Sequence, residues 1–277
     1  MINYSDLTFI IVTFKSEYII KDCLSDIPDE CKKIVVENSN NYEFYKKLEN
    51  EISNLEVFIM TENYGYGKAN NFGILNSKTN YVFIINPDIK IHRSEINKIL
   101  KIIENVDFAI AAPQIIEKSK VYKQNSENKD YVLVKEVPGM AMLLNKKKFS
   151  KIFFDENFFL YLEEIDLCKR LKNKGEQIIE INVEVSHLGN QSHGGFDLEI
   201  EKSRNWHWMW SRFYFSKKYK GYLLSLIIFS PVVLKIIFKL FFYFTLRNSK
   251  KFIVFKKRLS GLLASIRGKS SYYRPKI

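Results

Sequence analysis

Residues 81–88 read Tyr81-Val82-Phe83-Ile84-Ile85-Asn86-Pro87-Asp88, an apolar, β-branched and aromatic run followed by a turn that ends in a carboxylate. A run so short and so apolar is a strand buried on both faces. Toward the N-terminus the same pattern recurs at Leu7–Phe14, Lys33–Glu37 and Leu55–Met60, and toward the C-terminus at Asp107–Ala111. The segments between them (Ser16–Leu24, Asn41–Ile52, Gly67–Asn76, Arg93–Glu104) have helical length, and Ile96, Ile99, Leu100 and Ile103 show helical spacing. Alternating strands and helices predict an α/β layer with a mostly parallel sheet flanked by helices. In such sheets ligands bind beyond the carboxyl ends of the strands. The residues that follow the runs are therefore the candidates: Thr13-Phe14-Lys15, Glu37-Asn38-Ser39, Glu62-Asn63-Tyr64-Gly65 and Asn86-Pro87-Asp88.

Beyond Ala112 the polar stretch Glu117–Lys135 has little periodicity and reads as a mobile loop. Order resumes with a strand around Val137–Leu144, then the aromatic Phe153–Leu162 and the acidic cluster Glu163-Glu164-Ile165-Asp166, which opens a helix over Leu167–Lys174. Acids suit a helix's first turn because the macrodipole favours them there. On helical spacing Glu163 and Asp166 share a face while Glu164 points about 100° away. Short strands at Gln177–Ile181 and Val183–His187 precede the glycine-rich Gly189–Gly195.

Asp88 at the open end of the sheet could help hold a hard divalent cation, which takes a few oxygen ligands and fills its shell with water and phosphate. Asn-Pro-Asp alone is also a common turn. Several further motifs fall in an order that resembles family 2 glycosyltransferases, in particular their rhamnosyltransferase-like branch. Phe9–Phe14 looks like the family's opening strand, so that Thr13 and Phe14 reach the donor, and Val35-Val36-Glu37-Asn38-Ser39 looks like the second strand with its acidic nucleotide contact, Glu37. Asn63-Tyr64-Gly65-Tyr66-Gly67-Lys68-Ala69-Asn70-Asn71-Phe72-Gly73 matches the element that lines the base pocket, bringing Asn63, Gly65, Gly67, Lys68 and Asn70 to the donor. Asn86-Pro87-Asp88 stands at the metal motif, where its first acid is replaced by Asn86. The Glu163–Arg170 segment resembles the helix of the catalytic base, and Ser186–Ser192 the segment of the metal-binding histidine, His187.

The resemblance implies a GT-A fold, a nucleotide-diphosphate sugar donor contacted also by Asn86 and Ser192, a divalent metal (Mg²⁺ or Mn²⁺) on Asp88 and His187, and inversion at the anomeric carbon. The base position is Glu164, and Glu163 and Asp166 stay open as alternatives. Inverting transfer needs a base to take the acceptor's proton and an electrophile to hold the leaving diphosphate. The plainer readings are a structural, hydrogen-bonded His187, a loop role for Ser192 and His193, a structural His207, and a tight turn at Gly65 and Gly67.

Of 43 Lys and Arg, 18 fall in residues 202–277, which hold no Asp or Glu; the other 25 face all 31 acids in residues 1–201. The body is thus −6 and the tail +18, so the body gives no electrostatic case for nucleic acid. The charge shift divides the chain into a donor-binding and catalytic region, 1–201, and a basic helical region, 202–277. Tyr222–Leu246 is mostly apolar and long enough to span a bilayer. However, Lys235 and Lys239 lie inside it, each costing roughly 2.5–3.5 kcal/mol at a bilayer centre. Lying in the interface is favoured over spanning. A second helix, Lys251–Arg267, puts Phe252, Phe255, Leu259, Leu262, Leu263 and Ile266 on one face with Ser265 away from it, an amphipathic pattern that suits an anionic membrane surface.

Three cysteines without a paired motif suit a reducing compartment, and the N-terminus lacks the basic start of a signal peptide. Together these point to transfer of a sugar, such as rhamnose from a dTDP donor, to a lipid-linked or cell-surface polysaccharide acceptor at the cytoplasmic face of the membrane. Homo-oligomerisation stays open. The competing readings are a sugar-phosphate nucleotidyltransferase, for which Thr13-Phe14-Lys15-Ser16-Glu17 lacks a phosphate loop, and a non-catalytic membrane- or nucleic-acid-binding protein.

Overall fold

The computed structural model describes residues 2–117, 120–122, 129–150, 153–188 and 197–275. These divide into two compact units, one of residues 1–155 and 164–194, the other of 156–163 and 195–277. The boundary drawn from charge at 201/202 falls inside a helix, because packing and not charge sets the unit.

The first unit holds β1 (Leu7–Thr13), α1 (Glu17–Ser25), β2 (Lys32–Glu37), α2 (Tyr42–Glu51), β3 (Leu55–Ile59), α3 (Tyr66–Asn76), β4 (Tyr81–Ile85), β5 (Ile89–Lys90), α4 (Arg93–Ile103), β6 (Ile110–Glu117), β7 (Lys120–Tyr122), β8 (Tyr131–Leu133), β9 (Ala141–Asn145), α5 (Glu163–Asn173, its first residue in the other unit) and β10 (Ile178–His187). The strands form one sheet in the order β3-β2-β1-β4-β9-β6-β10-β5, with β7 beside β6 and β8 beside β10. The four N-terminal strands pair in parallel, and antiparallel pairing enters with β9, which runs between β4 and β6. The sheet is thus mixed in its C-terminal half.

Alternation sorts β1 between two cores: Phe9 and Ile11 pack with Ile20, Leu48 and Ile96 on one side, and Ile10 packs with Ala69, Ile74 and Leu167 on the other. At Gly73 a Cβ would stand 2.7 Å from Ile10 Cγ2, so this motif glycine serves the packing of α3 on the sheet. Two strands expected around Asn182 are one strand, β10, with a register shift between Ile181 and Glu184. The expected loop over Glu117–Lys135 carries β7 and β8 at its two ends, drawn into order by sheet edges. All three cysteines are free and buried.

The second unit contains α6 (Asp197–Lys220), α7 (Tyr222–Thr245) and α8 (Ser249–Ile266). Met209, Phe213, Phe229, Ile236 and Leu262 form one core cluster, and Trp206, Trp210 and Ala264 another. The two helices α6 and α8 approach so closely that a Cβ on Gly261 would lie 2.1 Å from the Trp206 carbonyl oxygen. Leu262 and Ser265 are both buried, and of the apolar face that the sequence assigns to a membrane Phe255, Leu259 and Ile266 pack half-buried against the unit's core.

His207 is fully buried, with one ring nitrogen 2.8 Å from Ser271 Oγ and the other 2.7 Å from the Tyr273 carbonyl oxygen. Burial, aided by the nearby Arg274 charge, pushes its pKa down to about 3. Unfolded, the ring takes a proton near pH 6.5. Between those values the unfolded chain binds a proton that the folded chain refuses, so stability falls as pH drops through this window. We expect the unfolding temperature to decline from pH 7 to pH 5 and His207→Gln to flatten that slope, as read by calorimetry across pH.

Candidate active site

The strand ends of the first unit gather the candidate residues. After β1 and β2, the Thr13 hydroxyl and the Ser39 hydroxyl donate to the two carboxylate oxygens of Glu37, and the Ser39 amide donates at 2.5 Å. Glu37 is fully buried. Burial pushes its carboxyl up, while the donors from Ser39 and Thr13 favour the ionised form. Both oxygens are engaged within the protein, so a nucleotide contact by Glu37 has to compete with Ser39. Next to it Lys15 takes a positive φ of 55° and its amide donates to Ser39 Oγ at 3.1 Å, so the two loops are tied together beside Phe14.

Asn38 joins this edge to the next. Its Nδ2 donates to the Gly65 carbonyl at 3.3 Å, and its Oδ1 accepts from the Tyr64 amide at 3.3 Å. Gly65 has φ +80°, which glycine adopts without strain, and its amide donates to Asn63 Oδ1 at 2.9 Å. Gly67 is buried in the first turn of α3, Lys68 Nζ lies 4.2 Å from the Tyr64 ring centroid, and Asn70 is fully buried with Nδ2 donating to the Tyr66 carbonyl.

After β4 the chain turns through Asn86 and Pro87, and the Asn86 amide donates to the Met140 carbonyl at 2.9 Å. Asp88 is 1% exposed. The two-residue β5 pairs antiparallel with β10, which sets His187 opposite Ile89 and brings His187 Nε2 within 3.2 Å of Asp88 Oδ2. The Leu188 amide donates to the Asp88 carbonyl at 3.0 Å, closing the same corner. Asp88, as hydrogen-bond partner, holds the imidazole's pKa above its usual value against the effect of burial. His187 Nδ1 is buried, makes no hydrogen bond among the described residues, and lies 3.7 Å from Glu117 Oε1. One carboxylate and one imidazole, adjacent and nearly buried, fit a hard divalent cation that completes its shell with water and diphosphate. Among the described residues no group of three or more acidic, His or Cys side chains is arranged to hold a metal.

At the start of α5, Glu163 is 3% exposed and Asp166 is fully buried, whereas Glu164 is half-buried. Asp166 pairs with Arg170 Nε at 2.8 Å, and Arg170 also donates to the Phe153 carbonyl. Asp166 is thus part of a packing network. Glu164 lies against Gly139, where a Cβ would stand 3.3 Å from the Glu164 Cβ. The Gly139 carbonyl accepts from the Tyr66 hydroxyl at 2.5 Å. The segment Gly139-Met140 therefore touches the α3 loop, the Asn86 turn and Glu164, a junction that the sequence reading missed although Pro138-Gly139 is a turn dipeptide. Ser192 lies outside the described residues.

Comparison with known proteins decides what this arrangement belongs to. The sequence profile of glycosyl transferase family 2 matches residues 8–168, which run from β1 through β9 to the acidic start of α5, with β10 and His187 beyond them. The chain belongs to glycosyl transferase family 2.

It is 26% identical over 212 residues to the low-salt glycan biosynthesis hexosyltransferase Agl10 of Haloferax volcanii, covering 67% of each chain. To the rhamnosyltransferase WbbL of Escherichia coli it is 24% identical over 237 residues, covering 72% of this chain and 88% of that one. The fold resembles that of GalNAc-T7 solved with UDP, GalNAc and Mn²⁺, at TM-score 0.57 and 11% identity; the match covers 73% of this chain and half of that one. The fold is thus of the GT-A type. Family membership displaces the nucleotidyltransferase and the non-enzyme readings.

Proposed function

We propose that this glycosyltransferase moves a sugar from a nucleotide-diphosphate donor to a hydroxyl of a lipid-linked or polysaccharide acceptor, with inversion at the anomeric carbon. The observation that carries the reading is the Asp88–His187 pair, 3.2 Å apart beyond the carboxyl end of β4. A divalent cation held there would act as a Lewis acid on the leaving diphosphate. Asn63, Gly65, Gly67, Lys68 and Asn70 would shape the donor pocket with Thr13, Phe14 and Asn86. Glu164, the most exposed carboxylate of its cluster, takes the acceptor's hydroxyl proton as that oxygen forms its bond to C1 and the bond from C1 to the phosphate oxygen breaks. Rhamnose as the sugar rests on the likeness to a rhamnosyltransferase.

The test is a thermal-shift screen of UDP, GDP, dTDP and their sugars with and without Mn²⁺. A ligand that binds only the folded state raises stability, by about 2.7 kcal/mol at a hundred times its dissociation constant. The reading requires at least one of them to raise the unfolding temperature more with Mn²⁺ than without, and that nucleotide sugar then serves as donor.

The proposal includes an anionic membrane surface at the cytoplasmic face. Among the described residues α7 is the one helix long and apolar enough to cross a membrane, and only 17% of its apolar window is buried. Ser225, Phe229 and Ile236 face the unit's core, while Leu223, Ile227, Leu234, Phe238 and Phe241 stand 64–75% exposed along one stripe. Lys235 is exposed and Lys239 is half-buried near the Phe242 and Tyr243 rings. An apolar stripe bordered by lysines, on a region of +18, suits a helix lying in the interface. Deleting Tyr222–Ile277 would also remove α8 from Trp206, so point changes make the sharper test. Phe238→Asp with Phe241→Asp should lower binding to anionic vesicles about tenfold or more in a flotation assay and leave the unfolding temperature unchanged, since each ring forfeits roughly 1 kcal/mol or more of apolar transfer.

A further inference from the structure

The C-terminal end of α8 builds a cavity that neither the transfer reaction nor the apolar stripe of α7 uses. Its volume is about 270 Å³, and Lys256, Ser260, Leu263, Arg267, Lys269 and Tyr272 line it. Lys256, Ser260, Leu263 and Arg267 recur at three- and four-residue steps, so they share one face of the helix. Past Arg267 the chain turns back at Gly268, φ +70°, and the Lys269 amide donates to the Ala264 carbonyl at 3.0 Å. That turn brings Lys269 and Tyr272 to the same cavity. The Lys269 carbonyl accepts from Trp210 Nε1 at 2.9 Å, and the Tyr272 ring stands edge-on to Trp206 at 5.0 Å, so α6 fixes the returning segment.

The chemistry of the lining is one-sided. Three cations border the cavity, no carboxylate lines it, and none of Lys256, Arg267 and Lys269 makes an ion pair among the described residues. Ser260 Oγ accepts from Trp206 Nε1 at 3.2 Å, which leaves the serine's own proton to donate. The negative end of the α8 macrodipole, about half a charge, is outweighed by the three cations. Leu263 and the buried Ala264 supply an apolar wall. Cations and a hydroxyl donor beside an apolar wall suit an anion carried on an apolar chain. An arginine fork grips phosphate oxygens in pairs, and each lysine adds a point charge.

We propose that this cavity binds the phosphate headgroup of a membrane lipid and prefers a terminal phosphomonoester, at about −1.5 to −2 near neutral pH, over a phosphodiester at about −1. Three cations match the former more closely. The volume lies just below the roughly 300–1,000 Å³ of ordinary ligand pockets, which is room for one headgroup and too little for a nucleic-acid strand. The inference rests on the reading that α7 lies in an anionic membrane surface, and adds to it a headgroup that the region selects.

The test floats the full-length protein with phosphatidylcholine vesicles that carry either phosphatidic acid or phosphatidylserine, matched in surface charge. Wild type should bind the phosphatidic acid vesicles about tenfold more tightly. Lys256→Gln with Arg267→Gln should erase that preference. Lys220→Gln with Lys250→Gln, which removes the same charge outside the cavity, should weaken binding to both vesicles and keep the preference. All four side chains are exposed, so the unfolding temperature should hold in both variants. Inorganic phosphate, exchanged for chloride at matched ionic strength, should compete with the phosphatidic acid vesicles and leave binding to phosphatidylserine unchanged.

Equal affinity of the wild type for the two lipids, or a preference that survives Lys256→Gln with Arg267→Gln, overturns the proposal and leaves the membrane reading standing. Thermal protection by inorganic phosphate that the Lys256/Arg267 variant loses, beside equal binding of the two vesicles, means a site for free phosphate and overturns the lipid assignment. Failure to bind either vesicle removes the membrane reading itself, whose own mark is that Phe238→Asp with Phe241→Asp lowers binding to both lipids alike.

Discussion

Replacing Asp88 with Ala should lower turnover about a thousandfold or more and abolish the Mn²⁺-dependent part of the donor's thermal shift. The carboxylate is 1% exposed and lies 3.2 Å from the His187 imidazole, so its removal takes away the acidic member of the pair. Charge stabilisation of a leaving group in a water-poor site is worth several kcal/mol, and each 1.36 kcal/mol is a factor of ten in rate. Asp88→Asn keeps the shape and removes the charge; it should fold as wild type and still lose the metal effect. A variant without the carboxylate that still shows the full Mn²⁺-dependent shift would place the metal elsewhere.

Glu164→Gln should cost about a hundred- to ten-thousandfold in kcat, the usual range for a positioned general base. Donor affinity and its metal dependence should be unchanged, because in the proposed reaction Glu164, beside Gly139, meets the acceptor and not the donor. The amide is nearly isosteric, so the unfolding temperature should hold. Near-normal turnover in that variant would pass the role to Glu163, since Asp166 is fixed by Arg170 at 2.8 Å.

Tertiary packing changed the weight of several residues that look alike in the sequence. Glu163, Glu164 and Asp166 form one acidic cluster with no local signal to rank them. Burial ranks them, because α5 turns Glu163 and Asp166 inward and leaves Glu164 half-exposed. The glycines of the Asn63–Gly73 element divide likewise: Gly65 is required by its φ of +80°, whereas Gly73 is required by Ile10 on the neighbouring strand. Glu37, expected at the nucleotide, has its oxygens engaged by Thr13 and Ser39. Serine hydroxyls two positions away compete for a buried carboxylate in a manner that spacing does not reveal.

The sequence by itself determined the α/β class, the strand ends where function gathers, and the acid-free basic tail, because hydrophobic period and charge are local properties of the chain. Only the tertiary structure decided that β9 enters antiparallel between β4 and β6, that a two-residue bridge from β5 to β10 delivers His187 to Asp88, and that α8 packs on α6 through Gly261 and leaves α7 to present the apolar stripe. Each of these joins segments dozens of residues apart. Such pairings depend on which buried faces complement one another, and no window along the chain contains both partners.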